Sequence, residues 1–135
     1  MDNMDIRWLQ RFQNFEKSLT YLNEAMQIKS PDIIQQAGII HFFEMTFELA
    51  WKVIKDYLEE QGFNNIKSPR SALKKAFEIE LINDGQNWLE LSSDRNLTTP
   101  TYDEEKAMEI VQLIREKYYP LLEQLYQTFK GIRNE

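Results

Sequence analysis

An all-α fold follows from three features of this 135-residue chain. Apolar residues recur at helical spacing in every long segment, the breaks between segments carry helix caps, and no segment alternates apolar and polar residues as a half-buried strand would. The expected arrangement is an antiparallel bundle of four to five helices, a single domain over residues 1–135. Hydrophobic residues make up 42% of the chain, enough for one real core at this length.

The first helix is expected over about Asp5 to Ile28, where Trp8, Phe12, Phe15, Leu19, Leu22 and Met26 are spaced so that all share one face. Lys29-Ser30-Pro31-Asp32 ends it, because proline disfavours helix in the residue before it and suits the first turn of a new one. The second helix, about Asp32 to Gln61, is the longest. At roughly 100° per residue, Ile39, Ile40, Phe42, Phe43, Phe47, Leu49, Ala50, Trp51, Val53, Ile54 and Leu58 cover about half its circumference. His41, Glu44, Glu48, Lys52, Lys55 and Glu59 fill a narrower polar stripe. An arc that wide exceeds one helix–helix contact, so this helix is expected at the centre of the bundle and also against a second subunit, as a homodimer.

Gly62-Phe63 reads as a C-terminal cap with its apolar contact. Ser68-Pro69 reads as the N-cap and first residue of a short helix bearing Leu73, Ala76, Phe77 and Leu81. Asn83-Asp84-Gly85 is a turn that ends it and caps a fourth helix, roughly Gln86 to Arg95, burying Trp88, Leu89 and Leu91. Thr101 and Glu104 have capping-box spacing, which starts a fifth helix near Tyr102 or Asp103. Its apolar face is Ala107, Ile110, Val111, Ile114, Leu121 and Leu125, and Pro120 is expected to kink it by removing one backbone hydrogen bond.

Composition narrows the chemistry. The chain has no cysteine and a single histidine, His41, which removes thiolate and multi-histidine metal sites; no metal is expected. Walker, Rossmann and serine-elbow patterns do not occur, so no cofactor is expected either. Sixteen basic against 22 acidic residues give a net charge of −6, which disfavours non-specific binding to nucleic acid or an anionic membrane while leaving room for a small basic cleft. Met1-Asp2-Asn3-Met4-Asp5 lacks the basic and apolar regions of a signal peptide, and no apolar run approaches membrane-spanning length; a cytoplasmic protein is expected.

Three separated motifs carry a resemblance: Phe43-Glu44-Met45-Thr46-Phe47-Glu48-Leu49-Ala50-Trp51-Lys52, Ser68-Pro69-Arg70, and the polar loop Asp94-Arg95-Asn96-Leu97-Thr98. Together they resemble the nucleotidyltransferase substrate-binding proteins, a branch of the HEPN superfamily, over nearly the whole chain. The resemblance implies a dimeric helical bundle whose usual partner is a minimal nucleotidyltransferase. In several such pairs the HEPN member is an RNase toxin, silenced when the transferase attaches AMP to a tyrosine. The family signature is an arginine, four residues, a histidine, one residue, then a tyrosine. Arg95 and Tyr102 match it, Asn96 is the usual polar residue, and the histidine position holds Pro100. A guanidinium stabilises charge on a phosphate, whereas an imidazole moves protons near neutral pH. Proline does neither.

The resemblance therefore implies a non-catalytic substrate-binding or regulatory partner of a nucleotidyltransferase, the degenerate toxin half of such a pair. Arg95, Asn96 and Tyr102 would form the phosphate, nucleotide or partner contact. Two other readings stay open: a metal-independent RNase, with Arg95 catalytic and Tyr102 accepting AMP, and a structural helical adaptor without ligand. His41, Glu44, Glu48 and Lys52 would line the cleft, although Glu48 and Lys52 are also spaced as an ordinary i,i+4 pair. Arg95 has its own plain reading, complementing a helix C-terminus beside Asp94 or Asp103. Nucleotide and RNA are the ligand classes this leaves in view.

Overall fold

The computed structural model describes residues 3–95 and 103–135, with residues 3–6 by backbone alone. Six α-helices follow in order: α1 (Asn3–Met26), α2 (Ile33–Glu60), α3 (Pro69–Glu78), α4 (Gly85–Asp94), α5 (Glu104–Leu113) and α6 (Tyr119–Arg133). A π turn, Ile114–Tyr118, joins α5 to α6 without a break, so the described residues form five helical rods. The all-α bundle expected from periodicity is what folds.

Capping residues set most boundaries. Asp32 accepts from the Gln35 N–H at 2.8 Å while Gln35 accepts from the Asp32 N–H, a reciprocal box that starts α2. At its other end Gly62, with φ of 97°, lets Phe63 N–H reach the Leu58 carbonyl and its own N–H reach Glu59, closing a Schellman motif. Ser68 caps α3 with Pro69 in the first turn, and Asp84 caps α4. At α5 the expected Thr101 cap is replaced. Asp103 is the N-cap, its carboxylate accepting from the Glu105 and Lys106 N–H groups at 3.0 and 3.3 Å, and the helix opens at Glu104. Thr101 itself lies outside the described residues.

Just upstream of Pro120, where a kink is expected from the sequence, the helix carries the π turn. Tyr119 N–H bonds to the Ile114 carbonyl five residues back, and the wider turn just upstream accommodates a ring that has no N–H and would crowd the preceding turn. Helix α2 sits at the centre, packed by α1, α3, α5 and α6. Ile39, Ile40, Phe43, Phe47, Ala50, Val53, Ile54 and Leu58 are buried there. Four neighbours within one chain thus cover most of the α2 arc, while Phe42, Leu49 and Trp51 are only partly buried. Trp8, Phe12, Phe129, Tyr57 and Tyr126 make an aromatic cluster between α1, α2 and α6, with ring centroids 5.5–6.1 Å apart. Each fully buried phenylalanine contributes about 1.5–3 kcal/mol relative to exposure.

Two polar links cross the α1–α2 seam. Arg11 Nε donates to Asp56 Oδ2 at 3.1 Å, and Ser18 and Thr46 share a buried hydroxyl hydrogen bond of 2.6 Å. Phe77, expected on the buried face of α3, is instead 52% exposed. That face is filled by Ala72, Leu73 and Ala76, and the Phe77 ring leans across Gly85, where an added Cβ would lie 2.9 Å from it. On α4 Trp88 and Leu91 are buried as expected, while Leu89 is only partly covered.

Candidate functional site

Arg95 caps the C-terminus of α4, donating its N–H to the Leu91 carbonyl. From there its side chain crosses to α2. Nη1 donates to Glu48 Oε2 at 3.2 Å, and the guanidinium carbon lies 5.0 Å from the centroid of the buried Phe47 ring. Glu48 Oε1 is 3.3 Å from Lys52 Nζ, the i,i+4 pair expected from spacing. One carboxylate therefore sits between two cations. The Arg95 side chain is 26% exposed and that of Glu48 45%, so the cluster opens to solvent on one side. A guanidinium backed by an aromatic face and edged by one exposed carboxylate is placed to meet an oxyanion arriving from solvent.

The residue before it is held separately. Tyr118 Oη donates to Asp94 Oδ2, and the buried Tyr118 ring stacks on Phe43 at 5.7 Å and 13°. Burial first, then the hydrogen bond to Asp94, pushes the Tyr118 hydroxyl well above the usual tyrosine range, so it remains a donor. Next to it Lys117 bonds to Glu90, one turn before Asp94 on α4. That hydrogen bond holds the Glu90 carboxyl below its ordinary value. A cavity of about 150 Å³ lies against this brace, lined by apolar side chains of α5 with Phe43, Tyr118 and Asp94, and with Lys106 and Glu109.

The structure thus brings together three of the residues read from the sequence, Arg95, Glu48 and Lys52. Glu44 is partly buried one turn before Glu48 on the same stripe. His41 is exposed, its ring 6.1 Å from Phe42, and seven residues before Glu48, about 10 Å along the α2 axis. Asn96, Pro100 and Tyr102 lie outside the described residues. Asp94, read as a possible partner of Arg95, accepts from Tyr118 instead. Tyr118 is absent from the apolar face read for the fifth helix. Its spacing, four after Ile114 and three before Leu121, was the available signal. Among the described residues no group of three or more histidines or carboxylates could hold a metal, and no helix is long and apolar enough to cross a membrane.

Comparison with known proteins adds four findings. A curated relative from Haemophilus influenzae, named probable ribonuclease HepT, is 35% identical over 129 residues, covering 86% of this chain and 87% of the relative. A crystal structure of a Thermus thermophilus protein superposes with a TM-score of 0.74 at 33% identity, covering 82% of this chain and 94% of that one. A second, described as a toxin-antitoxin with AMP-PNP, gives 0.74 at 15% identity, covering 96% and 98%, and supports the fold alone. The family model described as nucleotidyltransferase substrate binding protein like matches residues 10–131. The three sequence motifs, the helical order and this match agree: the chain belongs to the nucleotidyltransferase substrate-binding protein-like family.

Proposed function

We propose that this protein is a non-catalytic, phosphate-binding partner of a minimal nucleotidyltransferase, acting as a homodimer in the cytoplasm. The observation that carries the reading is the Arg95 guanidinium, set on Phe47 beside Glu48 and partly open to solvent. It has the chemistry to hold a nucleotide or RNA phosphate. The family description names a nucleotidyltransferase, which supports the transferase as partner. Asn96 and Tyr102, taken from the motif, complete the contact. Pro100 stands where the motif carries histidine, so the arginine binds without an adjacent proton carrier.

The test is cleavage of a mixed RNA substrate by the purified protein beside Pro100→His and Arg95→Ala. An inert natural protein whose Pro100→His variant cuts RNA supports the reading. Cleavage by the natural protein that Arg95→Ala abolishes overturns it.

A second reading is favoured by the name of the 35%-identical relative, a probable ribonuclease. In it, Arg95 stabilises the cleavage transition state despite Pro100, and the transferase silences the protein by adding AMP to Tyr102. Intact-mass measurement after incubation with the transferase and ATP tests that step: an AMP adduct lost in Tyr102→Phe supports it, and an unchanged mass removes it.

A further inference from the structure

Helix α2 carries two aromatic rings one turn apart on one face; one meets the α4 C-terminus directly and the other meets a side chain bonded to it. Phe47 lies under the Arg95 guanidinium at 5.0 Å, and Phe43 stacks on Tyr118, whose hydroxyl donates to Asp94. Asp94 and Arg95 are consecutive, so fixing the Asp94 side chain fixes the last turn of α4 and the point from which the arginine departs. A carboxylate at a helix C-terminus is ordinarily unfavourable, since it faces the negative end of the helix dipole. The buried Tyr118 donor offsets that cost. Tyr118 comes from the last residue of the π turn, and Lys117 from the same turn bonds to Glu90 on the same face of α4. The wide turn thus delivers two successive side chains to α4, four residues apart on that helix. Irregular turns of this kind concentrate at functional sites because they re-aim side chains without breaking the helix.

We propose that Tyr118 is the positioning residue of the site, holding Arg95 in its phosphate-receiving direction through the hydrogen bond to Asp94 and the stack on Phe43. Tyr118 touches no ligand in this role. Its importance for binding rests on the phosphate-binding reading given above, while its effect on Arg95 geometry does not.

The variant Tyr118→Phe keeps the ring on Phe43 and removes only the hydroxyl, and Asp94→Ala removes the acceptor from a partly exposed position. Both are compared with the natural full chain by two readouts. The first is hydrogen exchange at Arg95 Nε by ¹⁵N NMR, assigned through Arg95→Lys. The second is ATP titration by calorimetry, with Arg95→Ala and the double variant Tyr118→Phe/Arg95→Ala completing a cycle. Both single variants are expected to speed Nε exchange severalfold at unchanged helicity. ATP affinity is expected to fall about fivefold in Tyr118→Phe, and the Tyr118 change to have no effect once Arg95 is alanine. Unchanged Nε exchange in both variants overturns the positioning role. Accelerated exchange with no ATP response in any protein upholds the positioning role and defeats the phosphate-binding reading instead.

Discussion

Arg95 Nη1 donates to Glu48 Oε2 at 3.2 Å across 47 residues of sequence, so the side chain best suited to a phosphate is already engaged with a carboxylate. Glu48 ties the arginine to α2 and competes with any incoming anion. The substitution Glu48→Gln keeps the shape and removes that competition. ATP affinity is expected to rise by up to about fivefold, the equivalent of a solvent-screened ion pair worth up to roughly 1 kcal/mol. Calorimetry at low and high salt checks this, and an affinity unchanged at both ionic strengths counts against Glu48 as competitor.

The Arg11–Asp56 pair behaves differently, because Asp56 is 5% exposed while Arg11 reaches solvent. Removing the arginine leaves a carboxylate in the α1–α2 seam without its cation. Arg11→Ala is expected to lower stability by about 1–3 kcal/mol, less than a fully buried pair because the arginine is partly solvated. The double change Arg11→Met/Asp56→Leu is expected to recover most of that loss. Urea unfolding of the three variants checks both, and a double variant as unstable as Arg11→Ala contradicts the argument.

Two Schellman caps of the same form carry different residues at the left-handed position. Gly62 ends α2 with φ of 97°, and Glu80 ends α3 with φ of 64°, where Glu80 N–H meets Phe77 and Leu81 N–H meets Ala76. An L side chain in this region costs roughly 1–2 kcal/mol, partly offset by the extra unfolded-state entropy of glycine. Gly62→Ala is therefore expected to destabilise by about 1 kcal/mol and Glu80→Gly to stabilise by about 0.5 kcal/mol. Thermal unfolding midpoints moving in opposite directions confirm the pair; movement in the same direction refutes it.

Alkaline stability follows from the tyrosines. Burial, with Glu123 beside it, pushes the Tyr119 hydroxyl up to about 12, and Tyr118 is raised further. An unfolded tyrosine ionises near pH 10. Above that pH the unfolded chain loses protons that the folded chain keeps, so unfolding becomes more favourable. The stabilising contribution is complete below pH 10 and disappears as pH rises through about 12 for Tyr119. Urea midpoints between pH 9 and 11, with tyrosinate absorbance followed in parallel, are expected to fall less steeply in Tyr119→Phe than in the natural protein.

Sequence legibility ended at contacts between elements. The spacing of Trp8, Phe12, Phe15, Leu19 and Leu22 placed α1 and its buried face, and Gly62, Ser68 and Asp84 marked three helix ends, because periodicity and caps act over one to four residues. Arg95 was singled out by motif and Glu48–Lys52 by i,i+4 spacing, both local signals. The Glu48–Arg95 pair, the Phe47 ring beneath the guanidinium and the Tyr118–Asp94 bond carry no such signal.

What the sequence by itself determined is the all-α class, the order of the helices, the caps at Gly62, Ser68 and Asp84, and the family. What only the tertiary structure decided is which neighbours the α2 arc is covered by, that Phe77 lies outside rather than in the core, that Asp103 caps α5, and which side chains aim Arg95. The physical reason is range. Helix formation and capping are settled within a turn of chain, whereas the direction of a long cationic side chain is settled by a carboxylate and a ring that reach it from another helix. Their positions exist only once α2, α4 and the π turn have packed.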